Sequence, residues 1–189
     1  MPWPQHIIDS FRKVNPDTDM ENRWYGPYNV LLTTYFPPAE KWEVAPQYLQ
    51  PEDRHMADYI VMYVVKLQEH PVFIVEIKSL PKLASVARRN SADKQVRSRF
   101  ADLRTEITIP MLYGVSAFGT RFSVYEFDPA TRHTIPVRVE NEWEEDTVPN
   151  YNPVTNYRYD ILEPEGETRF RQILSHVREM VLAKYGPIV

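Results

Sequence analysis

The stretch "PVFIVEIKSL", Pro71 to Leu80, decides how the rest of the chain is read. Val72, Phe73, Ile74, Val75 and Ile77 form the apolar run of a strand buried on both faces. Glu76 and Lys78 are set into that run. A carboxylate and an ammonium placed there are costly unless they meet a partner, a metal or water. Side chains alternate along a strand, so Glu76 and Lys78 point the same way.

The flanking segments supply the layers. "DYIVMYVV" is a second strand, and the polar "KLQEHP" between the two reads as a hairpin connection. Upstream, Ile7, Ile8, Phe11 and Val14 recur at helical spacing. Thr18 and Glu21 make a capping-box pattern for a second helix, which Pro27 interrupts or restarts. "WEVAPQYL" is a short strand or loop. Downstream, a helix is expected from about Ser91 to Ile107, with Ala92, Val96, Phe100, Leu103 and Ile107 on one face. "MLYGVSAF" and "RFSVYEF" are strands joined at Gly119-Thr120, and "TIPVRVE" is a candidate for another. Residues 140–156 are acidic and proline-containing and read as an exposed loop. A last helix runs near Thr168 to Lys184. The order predicts one α/β domain, bordering on α+β, over residues 1–189.

Bulk composition excludes several chemistries. The chain of 189 residues has no cysteine, so disulfide scaffolds, thiol catalysis and Cys-based zinc sites are out. It has 5 glycines, and none forms a phosphate-binding loop or a dinucleotide fingerprint. "GVSAFG" fails as a nucleophile elbow because Phe118 stands where the second glycine is needed. The longest apolar run, Tyr59 to Val65, is too short to span a bilayer, so no membrane partner is expected. The absence of cysteine fits an intracellular location, and the first residues lack a signal-peptide pattern. Net charge is −4, so any nucleic-acid contact must rest on a local patch.

The constellation around Glu76 carries the chemical reading. If the hairpin midpoint falls at Leu67, Asp58 lies opposite Glu76, with a bulge or asymmetric loop making up the offset. Two carboxylates and a lysine would then converge at one end of a sheet. Mg²⁺ is typically held by one or two carboxylates plus waters and substrate phosphate. The plainer interpretation is a Glu76–Lys78 ion pair on an exposed edge. From Lys82 to Arg104 the chain carries seven basic residues against two aspartates. Arg88, Arg89, Lys94, Arg97 and Arg99 form the candidate phosphate-contacting stripe. Its plainer interpretation is a surface helix with an Asp93–Arg97 pair. Gln95 lies one turn before Arg99 on the same side.

Asp58, then Glu76-x-Lys78 in a hydrophobic strand, then Gln95 on the next helix, resembles the PD-(D/E)XK nuclease superfamily, over roughly residues 18–128. "IPMLYGVSAFGTRFSVYEFD" resembles uncharacterised fungal proteins of that type. The resemblance implies a restriction-endonuclease-like fold in which a helix precedes a three-stranded meander and a helix and a further strand follow. It implies a catalytic set of Asp58, Glu76, Lys78 and Gln95, with Mg²⁺ (or Mn²⁺) on Asp58 and Glu76. Glu21 would match the acidic residue that some members add. Ala57 departs from the proline common before the aspartate.

The function expected is therefore a divalent-metal-dependent nuclease acting on DNA, with RNA as the other substrate and a homodimer compatible with it. The alternative is a module that keeps the fold and binds nucleic acid or a protein without turnover.

Overall fold

The apolar run around Glu76 forms the middle of a sheet. The computed structural model describes residues 2–49, 60–138 and 149–187. All of its strands join one sheet in the order β1-β2-β3-β4-β5-β6. These are β1 (Trp42–Leu49), β2 (Ile60–Leu67), β3 (His70–Lys78), β4 (Leu112–Phe118), β5 (Arg121–Phe127) and β6 (Thr134–Ile135). A further short strand, β7 (Tyr159–Asp160), pairs with the other end of β5. β1, β2 and β3 form an antiparallel meander, β3 and β4 run parallel, and β4 and β5 are antiparallel. The sheet is mixed and helices cover both faces, so the chain is of the α/β class.

The helices divide between the faces. Phe73, Val75 and Ile77 pack with α1 (Gln5–Arg12), α2 (Asn22–Tyr35) and α4 (Pro164–Tyr185), through residues such as Ile7, Phe11, Tyr28, Leu31, Phe170 and Leu174. Met62, Val64 and Ile74 point the other way, under Val96, Phe100 and Leu103 of α3 (Val86–Leu103). A parallel pair needs a crossover of this length, and α3 provides it. Among the described residues no helix is long and apolar enough to cross a membrane.

Several boundaries differ from expectation. α3 begins five residues before Ser91, where the Ser85 hydroxyl accepts from the Arg88 N–H at 3.4 Å. Pro27 sits inside α2 without ending it. Thr18 accepts from the Met20 N–H, and Glu21 makes no side-chain cap. "TIPVRVE" contributes only Thr134–Ile135 to the sheet. Asn152, expected on an exposed loop, is buried.

The β2–β3 register corrects the hairpin. The strands turn through Gln68 and Glu69, both left-handed at φ 49° and 69°, with Leu67 opposite His70. Two left-handed residues match the tight turn whose twist suits a hairpin. A bulge between Val65 and Lys66 faces Phe73 and Pro71, which leaves Val72 as the extra residue. Met62, not Asp58, therefore stands opposite Glu76. Asp58 itself lies outside the described residues.

Candidate functional site

Glu76 lies on β3, an interior strand flanked by β2 and β4. Met62 of β2 is across from it on one side and Ser116 of β4 on the other. Its carboxyl is 0% exposed. The Ser116 hydroxyl donates to Glu76 Oε2 at 3.1 Å. Lys78 Nζ lies 3.4 Å from Oε1 as its ion-pair partner, and among the described residues nothing else bonds to that oxygen. Burial raises the Glu76 pKa to about 7. Lys78 and the Ser116 hydrogen bond pull it down by less, and Glu21 adds a further push upward.

β3 is an interior strand, so the pair is not on an exposed edge. The strand end that carries Lys78 is pinned by the turn after β4. Gly119 donates its N–H to the Lys78 carbonyl at 2.8 Å and accepts the Tyr28 hydroxyl at 2.9 Å. Gly119 has φ 58°, and a Cβ there would sit 2.7 Å from Leu80 Cβ, so the position requires glycine. Among the described residues two buried polar atoms near this strand end make no hydrogen bond. One is the Ser79 hydroxyl, next to Lys78, and the other is Trp24 Nε1, whose ring packs against Gly119.

Glu21 comes to the same neighbourhood, since it acts electrostatically on Glu76. Its carboxylate, however, is held by Lys82 Nζ at 2.9 Å. Gln95 on α3 has a buried Oε1 with no hydrogen-bond partner. Glu76, Lys78 and Glu21 are thus brought to one end of the sheet, while Gln95 stays on the helix above it.

The basic residues do not form one solvent-facing stripe. Arg89 is 4% exposed, and its guanidinium donates to the carbonyls of Leu83, Ala84 and Asn152. Arg97 is spent on Asp93 at 2.8 Å and on the Pro136 carbonyl. Arg99 is partly buried and donates to Gln47. The helix spacing that suggested a stripe places these three against neighbouring segments instead. Lys94 is exposed and Arg88 half-buried.

The residues that sequence reasoning missed gather beneath α3, around Asp93, whose pair with Arg97 the spacing did foretell. Asp93, 1% exposed, takes Arg97 and Arg138 at 2.8 and 2.9 Å and accepts the Tyr125 hydroxyl at 3.2 Å. Asn152 Nδ2 reaches the hydroxyls of Tyr125 and Tyr157 at 3.2 and 2.8 Å. Tyr157 in turn lies 3.1 Å from Ser116 Oγ. Ser116 was visible in sequence as the one serine in an apolar strand; Asn152 and Tyr157 carried no signal.

A buried carboxylate oxygen with no partner but an ammonium among the described residues is a candidate ligand for a hard divalent cation. Glu76 Oε1 fits that requirement. Among the described residues no group of three or more His, Asp or Glu side chains converges. Comparison with protein-family models, curated proteins and solved structures returned no match.

Proposed function

We propose that this protein is a divalent-metal-dependent nuclease that hydrolyses phosphodiester bonds, with DNA as substrate and RNA as the other candidate. The observation that carries the reading is Glu76 Oε1, buried on the central strand with the Lys78 ammonium as its one partner among the described residues. The order α2, β1, β2, β3, α3, β4, with an antiparallel meander and a parallel fourth strand, is the order the PD-(D/E)XK resemblance implies.

In this reading Glu76 Oε1 is the metal ligand, and Asp58 supplies the second carboxylate. A bound Mg²⁺ or Mn²⁺ would polarise the phosphoryl oxygen and lower the pKa of a water. Lys78 orients the attacking water and offsets the charge that builds on the phosphoryl group. Gln95 Oε1 is a free acceptor on the covering helix. Glu21 adds a further negative charge near Glu76, partly offset by its ion pair with Lys82.

A module without turnover is the second reading. The direct Lys78–Glu76 contact and the complete enclosure of the carboxyl favour it, because the two charges already satisfy each other in part. Incubation of plasmid and single-stranded DNA and RNA with wild type and Lys78→Ala, in Mg²⁺ and in Mn²⁺, separates the two. Divalent-dependent cleavage by wild type that Lys78→Ala loses supports the nuclease. No cleavage across all substrates and metals leaves the binding module.

A further inference from the structure

Glu76 Oε2 is the end of a chain of buried hydroxyls that runs away from the strand end. The Ser116 proton is committed to Glu76 Oε2 at 3.1 Å. The proton in the 3.1 Å contact between Ser116 Oγ and the Tyr157 hydroxyl must then come from Tyr157. The Tyr157 oxygen accepts in turn from Asn152 Nδ2 at 2.8 Å. Burial raises the Tyr157 pKa far above its ordinary value, so the phenol keeps its proton for this purpose. Every donor along the path, Asn152 to Tyr157 to Ser116, points toward the carboxylate.

The hydroxyls of the path are buried at a cost. Ser116, Tyr157 and Asn152 are all 0–1% exposed, and apolar residues of similar shape would avoid the desolvation these groups suffer. Asn152 is tied in further by donating to the Arg89 carbonyl at 3.1 Å and accepting from Asn156 at 2.9 Å. The effect of the chain is to occupy one carboxylate oxygen and only one. Among the described residues Oε2 takes the Ser116 hydroxyl, while Oε1 meets only the Lys78 ammonium.

We infer that Ser116 and Tyr157 are positioning residues. They lock the Glu76 carboxyl by Oε2 so that Oε1 is turned toward Lys78 and the divalent cation. This rests on the function proposed above. Residues that orient a metal ligand without touching the metal typically change metal affinity by about 10- to 100-fold.

The test is direct titration of Mn²⁺ without substrate, with free Mn²⁺ followed by electron paramagnetic resonance. Wild type, Tyr157→Phe, Ser116→Ala and the double variant are compared, each checked for native near-ultraviolet circular dichroism. Tyr157→Phe removes one oxygen and keeps the ring, so it is the variant least exposed to misfolding; Ser116→Ala reaches the same hydrogen bond by a smaller change. The expected result is weaker Mn²⁺ binding by about 10-fold or more in both single variants. The double variant should lose no more than Ser116→Ala alone, because both act through one hydrogen bond. A purely structural effect of two separate deletions would add. Unchanged Mn²⁺ affinity in both single variants, against measurable wild-type binding, overturns the inference and leaves the nuclease reading intact. Additive losses in the double variant also overturn it. Absence of Mn²⁺ binding by wild type overturns the nuclease reading and this inference with it.

Discussion

Arg89 and Asn152 hold each other across 63 positions of sequence: Arg89 Nε donates to the Asn152 carbonyl at 3.0 Å, and Asn152 Nδ2 donates back to the Arg89 carbonyl at 3.1 Å. This fixes the 149–157 segment against α3 and thereby places Tyr157 over the sheet. A guanidinium used in this way is not available to a phosphate. Arg89→Lys keeps the charge but cannot reproduce the fork that serves three carbonyls at once. The expected loss is about 2 kcal/mol in urea unfolding. The salt dependence of nucleic-acid binding should be unchanged, since no phosphate contact is removed. Wild-type stability with a flattened salt slope would instead place Arg89 at the nucleic-acid surface.

The enclosure of Glu76 gives a pH dependence of stability with a definite sign. Its pKa rises from 4.5 to about 7 on folding, chiefly through burial. Below the lower value both states are protonated. Between the two, the unfolded chain has released the proton and the folded chain retains it, so rising pH favours unfolding. Above about 7 both are ionised and the contribution is flat. The full swing is on the order of 3 kcal/mol. Thermal melts of wild type and Glu76→Gln in EDTA should show wild type losing ground steadily from about pH 4.5 to about pH 7 and no further above it. A difference that does not vary with pH would mean that Lys78 keeps Glu76 ionised throughout.

What the sequence made legible followed from periodicity. The apolar runs of "DYIVMYVV" and "VFIVEIKS", with the polar "KLQEHP" between them, announced the central hairpin, and the stripe on α4 announced the last helix. The i,i+4 spacing also foretold the Asp93–Arg97 pair, which forms at 2.8 Å. The register was not legible, because the turn uses Gln68 and Glu69 rather than the Asn-Gly or Asp-Gly that normally marks left-handed positions. The start of α3 was hidden by the polar "VARRN", whose arginines read as a surface. Arg89 is buried only because Asn152 comes from far along the chain to meet it. Ser116 to Tyr157 spans 41 positions, a contact that no local pattern encodes.

Gly166 is required by the packing of α4 on the end of the sheet. A Cβ there would lie 1.8 Å from the Asp160 carbonyl oxygen, which is backbone and cannot rotate away. Gly166→Ala must therefore shift the first turn of α4 away from β7. The expected destabilisation is about 3 kcal/mol, despite the better helix propensity of alanine. Differential scanning calorimetry measures it; a loss below about 1 kcal/mol would mean that the start of α4 can move without disturbing the sheet.

The Glu76–Lys78 pair separates stability from function most directly. Removing one partner leaves an uncompensated charge in the interior, which typically costs about 3–5 kcal/mol. Lys78 is 7% exposed and retains some contact with solvent, so Lys78→Met is expected at the lower end, near 3 kcal/mol. Replacing both partners with apolar groups of similar volume removes the desolvation cost altogether. The double variant Glu76→Leu with Lys78→Met should then be as stable as wild type, or more stable by about 1–4 kcal/mol. Urea denaturation of the two single variants, the double variant and wild type, without divalent metal, gives the comparison. A double variant that recovers stability while losing all Mn²⁺ binding and cleavage shows that the charges are kept for function rather than for folding. A double variant less stable than either single one would instead make the ion pair a structural element of the sheet, and the module without turnover would become the better description.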